Sequence, residues 1–357
     1  MKVLKIISSL NMGGAEKLLI DSVPLYQNAN IKVDVLVLSN YKTQFWKKLK
    51  MQLKGDLIGL TSKSTYNPFL VFRIIPYLKN YDVVHIHLFP ALYWGVLAKW
   101  LSFCKAKIIY TEHSTENRRK KYLIFKVFDR FIYGKIDTIV AISKGVQHNL
   151  KLHLNFENVL MIHNGIDLNE FSITSNDINF TFFDSKDFVI IQISSFKEAK
   201  DQATLIRSLL LLPKNVKLLL VGEGKLLEKN KLLAHKLKLE DRVKFLGNRN
   251  DVSNLIEYSD VVVLSSFYEG FGLSVVEGMA KGKPVIASNV LGINEIVENY
   301  GLLFNTNDEI DLAKEIYSLL NDNSFYHHIS KLCLKRSKDF DIKSMVKKYI
   351  FLYNSKY

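Results

Sequence analysis

Apolar positions along the chain fall into short β-branched runs separated by longer stretches with helical spacing, and the alternation begins almost at the first residue. The runs "VLKIISS" (3–9), "KVDVLVL" (32–38), "DVVHIHL" (82–88), "AKIIYTE" (106–112), "DTIVAIS" (137–143) and "NVLMIHN" (158–164) predict strands of a parallel sheet with helices on both faces. After "HNGIDLNEF" (163–171), the polar stretch "SITSNDINFTFFDSKD" reads as a linker. The pattern then restarts with "FVIIQIS" (188–194), "VKLLLVG" (216–222), "RVKFLG" (242–247), "DVVVLSS" (260–266) and "KPVIAS" (283–288). The expected fold class is α/β, with two Rossmann-like doubly wound domains facing a cleft. Length agrees, because 357 residues exceed the roughly 250–300 at which a single core stops growing.

Composition adds a constraint on class and one on partners. Hydrophobic residues at 48% and charged residues at 24% fit a folded globular enzyme and leave no room for a low-complexity block. Cys104 and Cys333 are the only cysteines, with neither metal-site spacing nor a disulfide framework, and point to a reducing cytoplasm. "MKVLKIISSLNMGG" turns polar at Ser8 and reads as a first strand rather than a signal peptide. "PFLVFRIIPYL" is too short to span a bilayer and is interrupted by Arg73 and Pro76. The formal charge of +14 directs attention to phosphorylated substrates, anionic lipid or nucleic acid. Most basic residues are dispersed, but "ENRRKKYLIFKVFDRFIYGK" gathers Arg118, Arg119, Lys120 and Lys121 ahead of an amphipathic run. An anionic membrane surface is the expected partner of that segment, and no nucleic-acid motif accompanies it.

In open α/β sheets ligands bind beyond the carboxyl ends of the strands, so motifs at strand-to-helix turns carry the chemistry. Gly13 and Gly14, ahead of Glu16, allow backbone amides at a helix start to approach a phosphate; the alternative is a tight turn with Glu16 supporting the first helical turn. His85 and His87 share one face of a strand end, with His85 expected as a satisfied core histidine. His113 ends the next strand, where a polar loop follows, and is the better placed to meet a sugar hydroxyl. Lys197 and Lys200 follow the first strand of the second half and are candidates to neutralise a diphosphate. Gly222 and Gly224 lack the third glycine of a dinucleotide fingerprint, which argues against a dehydrogenase. In "FYEGFGLSVVEGMAKG", Glu269 falls in the loop after a strand and Gly270, Phe271, Gly272 and Leu273 lead into a helix with amide donors at its start. Glu277 projects further along that helix, while Val275, Val276, Met279 and Ala280 pack inward.

"EGFGLSVVE", with "GGAEKLL", "HNGID", "VKFLGNRNDV" and "PVIASNVLGINEIV", resembles the retaining GT-B glycosyltransferases of glycosyltransferase family 4 over nearly the whole chain. The resemblance implies an acceptor-binding domain over 1–167, a nucleotide-sugar-binding domain over 168–340, and a C-terminal helix over 341–357 crossing back to the first. It implies Glu269, His113 and Lys200 as catalytic residues, with Gly13, Gly14, Glu16, Ser195, Gly270, Phe271, Gly272, Leu273 and Glu277 on the donor, Glu277 holding the ribose. Arg118, Arg119, Lys120 and Lys121 are assigned to acceptor or membrane. No metal and no cofactor are implied. The expected reaction moves a sugar from a nucleotide-sugar, UDP ahead of GDP, to a lipid-linked or saccharide acceptor, in a cytoplasmic enzyme at the inner face of the plasma membrane. One departure stands out: where the family commonly has Val-Gly-Arg, this chain reads Ile193-Ser194-Ser195, so phosphate binding leans on Lys200 and the amides. A nucleotide-sugar 2-epimerase of the same architecture and a basic nucleic-acid-binding protein are the alternatives. Asp339-Phe340-Asp341 lies before a terminal helix, which suits Asp341 as a helix cap rather than a metal-binding Asp-x-Asp.

Overall fold

A computed structural model describes residues 1–115, 123–172 and 180–355, so Arg118, Arg119, Lys120, Lys121 and much of the expected linker lie outside the described residues. The chain divides into two compact units, Met1–Gly165 with Ile342–Tyr357, and Ile166–Asp341.

The first unit is built on β1 (Lys2–Ile7), β2 (Lys32–Ser39), β3 (Leu57–Thr61), β4 (Val83–His87), β5 (Lys107–Glu112), β6 (Thr138–Ala141) and β7 (Val159–Met161). All pair in parallel, in the order β3-β2-β1-β4-β5-β6-β7. Its helices are α1 (Gly14–Asn28), α2 (Gln44–Gln52), α3 (Leu70–Ile74), α4 (Ala91–Ser102), α5 (Leu123–Tyr133) and α6 (Lys144–Leu154). Continuous apolar runs make sense here because a parallel strand is covered on both faces: β2 is buried from Val33 to Ser39 and β4 throughout.

In the second unit β8 (Phe188–Ile193), β9 (Val216–Val221), β10 (Val243–Gly247), β11 (Val261–Leu264), β12 (Val285–Ser288) and β13 (Leu302–Phe304) form a parallel sheet ordered β10-β9-β8-β11-β12-β13. Around it lie α7 (Leu168–Ser172), α8 (Gln202–Ser208), α9 (Leu227–Lys236), α10 (Val252–Tyr258), α11 (Leu273–Ala280), α12 (Asn294–Val297), α13 (Glu309–Asn321) and α14 (Asn323–Ser337). The last helix, α15 (Ile342–Asn354), follows Asp341 and belongs to the first unit, where Ile342, Met345, Val346, Tyr349, Leu352 and Tyr353 join the core formed by α1, β1 and β2.

Each sheet is a doubly wound Rossmann-like sheet, the two-domain architecture called GT-B. In each, the strand order reverses between the first strand and its neighbour on the other side, β1 beside β4 and β8 beside β11. A crevice opens at such a reversal because the flanking crossovers leave in opposite directions, and ligands bind there.

Candidate active site

In the second unit the reversal between β8 and β11 brings together residues 69 positions apart, the Lys200 ammonium and the Glu269 carboxylate, as an ion pair. Their loops are joined by backbone bonds: Phe267 N–H donates to Ala199 O at 2.9 Å and Asp201 N–H to Ser265 O at 3.0 Å. The Ser265 hydroxyl donates to Asp201 O at 2.6 Å. Glu269 also accepts from the Gly270 amide at 3.0 Å. Lys197, three residues before Lys200, is exposed, so the fold separates the two lysines named as candidates. Ser195 sits at the carboxyl end of β8; its carbonyl accepts from Gln202 Nε2 at 3.2 Å, and Gln202 also donates to Ser194 Oγ at 3.0 Å. A buried glutamine thus ties down the turn that carries Ser194 and Ser195.

The loop after β11 ends at Gly272, which caps α11 with φ of +81°, a left-handed conformation that costs glycine little. A Cβ there would also approach Ile293 Cδ1 to 2.8 Å. Further on, Gly292 at φ +93° lies so close that a Cβ would sit 2.2 Å from the Glu269 carbonyl oxygen. Val275, Val276 and Met279 are fully buried, and α11 lies close enough to β11 that a Cβ on Gly278 would meet Val262 at 2.6 Å. Packing therefore fixes the helix start, where the Val275 amide donates to Gly272 O at 3.0 Å and the amides ahead of it have no carbonyl a turn earlier to bond. Phe271 itself is core, edge-on to Phe340 at 5.4 Å, so what it offers a ligand is backbone. Gly270 and Gly272 are buried and Leu273 half-buried. Glu277 lies four residues into α11 with 4% of its surface exposed, a sheltered position where hydrogen bonds to a carboxylate count most.

In the first unit, His85 and His87, both buried, and the half-buried His113 form a series at the ends of β4 and β5. His85 is fully satisfied, as expected of a core histidine: Nδ1 meets Tyr353 Oη at 2.7 Å and Nε2 meets Thr111 Oγ1 at 2.8 Å. His87 Nδ1 contacts His113 Nε2 at 3.1 Å, while His87 Nε2 and His113 Nδ1 have no hydrogen-bonding partner among the described residues. Beneath them Lys5, buried and 4.4 Å from the Tyr26 ring centroid, contributes a charge that sequence patterning did not reveal. Burial pushes the Lys5 ammonium down to about 7. Burial, with Lys5 nearby, also pushes His113 down to about 3 and holds His85 and His87 well below the usual imidazole range. These rings are neutral at pH 7, so His113 acts there as an uncharged hydrogen-bonding group.

Gly13 is the extended residue before α1, and the Glu16 carboxylate folds back over it: a Cβ on Gly13 would lie 2.5 Å from Glu16 Oε2. Glu16 is buried, and its carboxylate stands at the positive end of α1 beside Gly14, where it supports the first turn. His113, Gly13, Gly14 and Glu16 are in one unit, and Lys200, Ser195, Glu269 to Leu273 and Glu277 are in the other.

A cavity of about 560 Å³ opens at the carboxyl ends of β1 to β4, at the reversal of the first sheet. Ser8, Ser9, Ser39, Ser62, Ser64 and Thr65 line it with hydroxyls, beside Lys63 and the rings of Tyr41, Tyr66 and Phe89. Hydroxyls beside aromatic faces suit a saccharide, whose polar edges and apolar ring faces need both kinds of partner. This site went unread in the sequence, although "SSLN" and "LTSKSTYN" mark two polar clusters directly after strands. Among the described residues no group of three or more His, Cys, Asp or Glu side chains could hold a metal ion, and no helix is long and apolar enough to cross a membrane.

Residues 12–170 match the family described as Glycosyltransferase Family 4, and residues 174–335 the family described as Glycosyl transferases group 1. The N-acetyl-alpha-D-glucosaminyl L-malate synthase of Bacillus anthracis is 28% identical over 295 residues, covering 75% of this chain and 76% of that protein. A Campylobacter jejuni relative, the GalNAc-alpha-(1->4)-GalNAc-alpha-(1->3)-diNAcBac-PP-undecaprenol alpha-1,4-N-acetyl-D-galactosaminyltransferase, is 26% identical over 369 aligned positions, 99% of this chain and 98% of its own. The crystal structure of Anabaena HepE in complex with UDP and glucose matches with a TM-score of 0.89 at 25% identity, over 100% of both chains.

Proposed function

Since the chain belongs to the GT-B glycosyltransferases of the family 4 and group 1 type, we propose that it transfers a sugar from a UDP-sugar to a lipid-linked or saccharide acceptor with retention of anomeric configuration. The observation that carries this reading is the Lys200–Glu269 pair at the β8/β11 reversal, beside the start of α11. A nucleoside diphosphate finds a cation and helix-start amides there, which together stabilise the charge that develops as the diphosphate leaves. Glu269 addresses the hydroxyls of the donor sugar and Glu277 accepts from the ribose. His113 offers a neutral imidazole to a sugar hydroxyl in the first unit, whose hydroxyl-lined cavity suits the acceptor.

UDP is preferred over GDP because the HepE complex holds UDP and glucose. A lipid-linked acceptor is favoured by the Campylobacter relative, which matches nearly end to end and acts on a PP-undecaprenol substrate, whereas the Bacillus relative is named for L-malate. A cytoplasmic protein seated on an anionic membrane surface, aided by Arg118, Arg119, Lys120 and Lys121, follows from the same reading and from the charge of +14. The 2-epimerase alternative lacks support, because both matched families are glycosyltransferases.

The test is nucleotide release by the purified protein across a panel of UDP- and GDP-sugars, with and without short saccharide and polyprenyl-diphosphate-saccharide acceptors. Acceptor-stimulated UDP release with α-linked product from an α-linked donor is the expected result. Release of GDP alone, or inversion at the anomeric carbon, would overturn the reading.

A further inference from the structure

Two features of the second unit press on the loop that carries Glu269 and the start of α11, and both lead back to one side chain on α14. One is Phe340, fully buried, whose ring stands edge-on to Phe271 at 5.4 Å. The other is α12 with the turn before it, where Gly292 fits against the Glu269 and Gly270 carbonyls and the buried Ile293 closes over Gly272. Arg336 reaches both. Its guanidinium lies 4.8 Å from the Phe340 ring centroid and 4.9 Å from that of Tyr300, just past α12. Arg336 Nη2 donates to Glu295 O at 2.8 Å and Nε to Ile296 O at 3.2 Å. With only 4 residues, α12 is too short to bond these two carbonyls with its own amides, so the guanidinium acts as its cap. The remaining contact, Nη1 to Asp339 Oδ2 at 2.9 Å, adds little, because the Asp339 side chain is 58% exposed.

Backbone amides cannot swing to meet a phosphate as a lysine can, so a loop that offers them has to be held in place beforehand. The contacts at Phe271 and Gly272 are van der Waals contacts, which resist compression strongly and withdrawal weakly. A guanidinium bonded to α12 and seated on Phe340 ties the two supports to each other and resists both. Lysine could not do the same, since a single ammonium lacks the planar fork that serves two carbonyls while its faces lie on rings. We propose that Arg336 is a positioning residue for transfer, tying Phe340 to α12 so that Glu269 and the amides at the start of α11 stand where the departing diphosphate needs them. This rests on the reading above that the diphosphate meets those amides, and the test separates the two.

Arg336→Met keeps the apolar stem and loses the donors. In the full chain, well below its melting transition, UDP should bind about fivefold more weakly and kcat for transfer should fall about tenfold, while uridine, which lacks the diphosphate, binds as before. Arg336→Lys should restore neither. Phe340→Leu, which breaks only the ring contact, should weaken UDP about threefold, and in the Arg336→Met background it should cost less than it does alone. Leu319→Ala, a cavity in the core of the same unit, should lower the melting temperature and leave UDP affinity and kcat unmoved. If Arg336→Met does not fold, Arg336→Lys and Phe340→Leu decide the matter by the same readings. Native UDP affinity and kcat in Arg336→Met, full recovery in Arg336→Lys, or equal losses of UDP and uridine binding would overturn the proposal. UDP weakened by Lys200→Met and not by Arg336→Met would overturn it alone and leave the diphosphate reading standing, whereas a native chain that binds no UDP would overturn both.

Discussion

Lys200 and Glu269 neutralise one another in a sheltered site, with side chains only 17% and 15% exposed, and on the reading proposed above a nucleoside diphosphate competes with Glu269 for the same ammonium. Replacing either residue should therefore act in opposite directions on nucleotide affinity. Lys200→Met removes one charge-assisted contact to the diphosphate, about 1.5–3 kcal/mol, or roughly 10- to 150-fold weaker UDP binding. It also withdraws a cation from Glu269, which lowers stability by about 1–3 kcal/mol; the larger 3–5 kcal/mol of a fully buried pair does not apply while both groups keep some contact with water. Glu269→Gln instead frees the ammonium, so UDP affinity should hold or rise, while transfer slows about 100-fold because the donor sugar loses the carboxylate that positions it. Glu277→Gln serves as the contrast: a neutral amide keeps one acceptor but no charge, and UDP should bind about tenfold more weakly. Calorimetric titration with UDP, paired with initial rates of transfer, reads all three, and the double variant supplies the coupling between Lys200 and Glu269. Equal losses of UDP affinity in Glu269→Gln and Glu277→Gln, or unchanged affinity in Lys200→Met, would refute the assignment.

Two further outcomes follow from backbone and burial. Gly292→Ala places a Cβ against the Glu269 carbonyl in a left-handed backbone conformation, so the melting temperature should fall and transfer should drop with it; calorimetry showing an unshifted transition would contradict the close approach. Stability should decrease as pH drops below about 6.5, because His85, His87 and His113 are neutral in both states above that value, whereas below it only the unfolded chain takes up protons readily. The slope is at most about 1.4 kcal/mol per pH unit per ring, and urea midpoints flat between pH 7 and 5 would contradict it. Lys5, held near 7 when folded, extends the same sign upward: raising pH from 7 toward 10 should add stability until the unfolded lysine also loses its proton.

What the sequence revealed depended on how each element is covered. Strands such as β1, β2, β4 and β8, sheathed on both faces, read as apolar runs. β3 was missed because only Leu60 of its five residues is buried, and β13 because three residues at a sheet edge carry no period. The position of Glu269 in a loop before a helix was legible from spacing alone, and so were the inward residues of α11. Its pairing with Lys200 was not, since it arises from the adjacency of β8 and β11, which strand patterns do not encode. Lys5 was invisible for a related reason: its burial depends on Tyr353, 348 residues away. The amphipathic character of α5 was readable, but the contact of its Phe131 with Trp100 required the packing of α4.

Because α15 completes the first unit while Ile166–Asp341 forms the second, the first unit is discontinuous in the chain and the second is not. During vectorial synthesis the whole second unit has been made before Tyr349 and Tyr353 exist to engage Thr111 and His85. Until then the nascent first unit holds an open polar seam around Lys5, with Ile342, Met345 and Val346 missing from its core. Its final closure is therefore a late event, which waits for α15 to be made after the last residue of the second unit, Asp341.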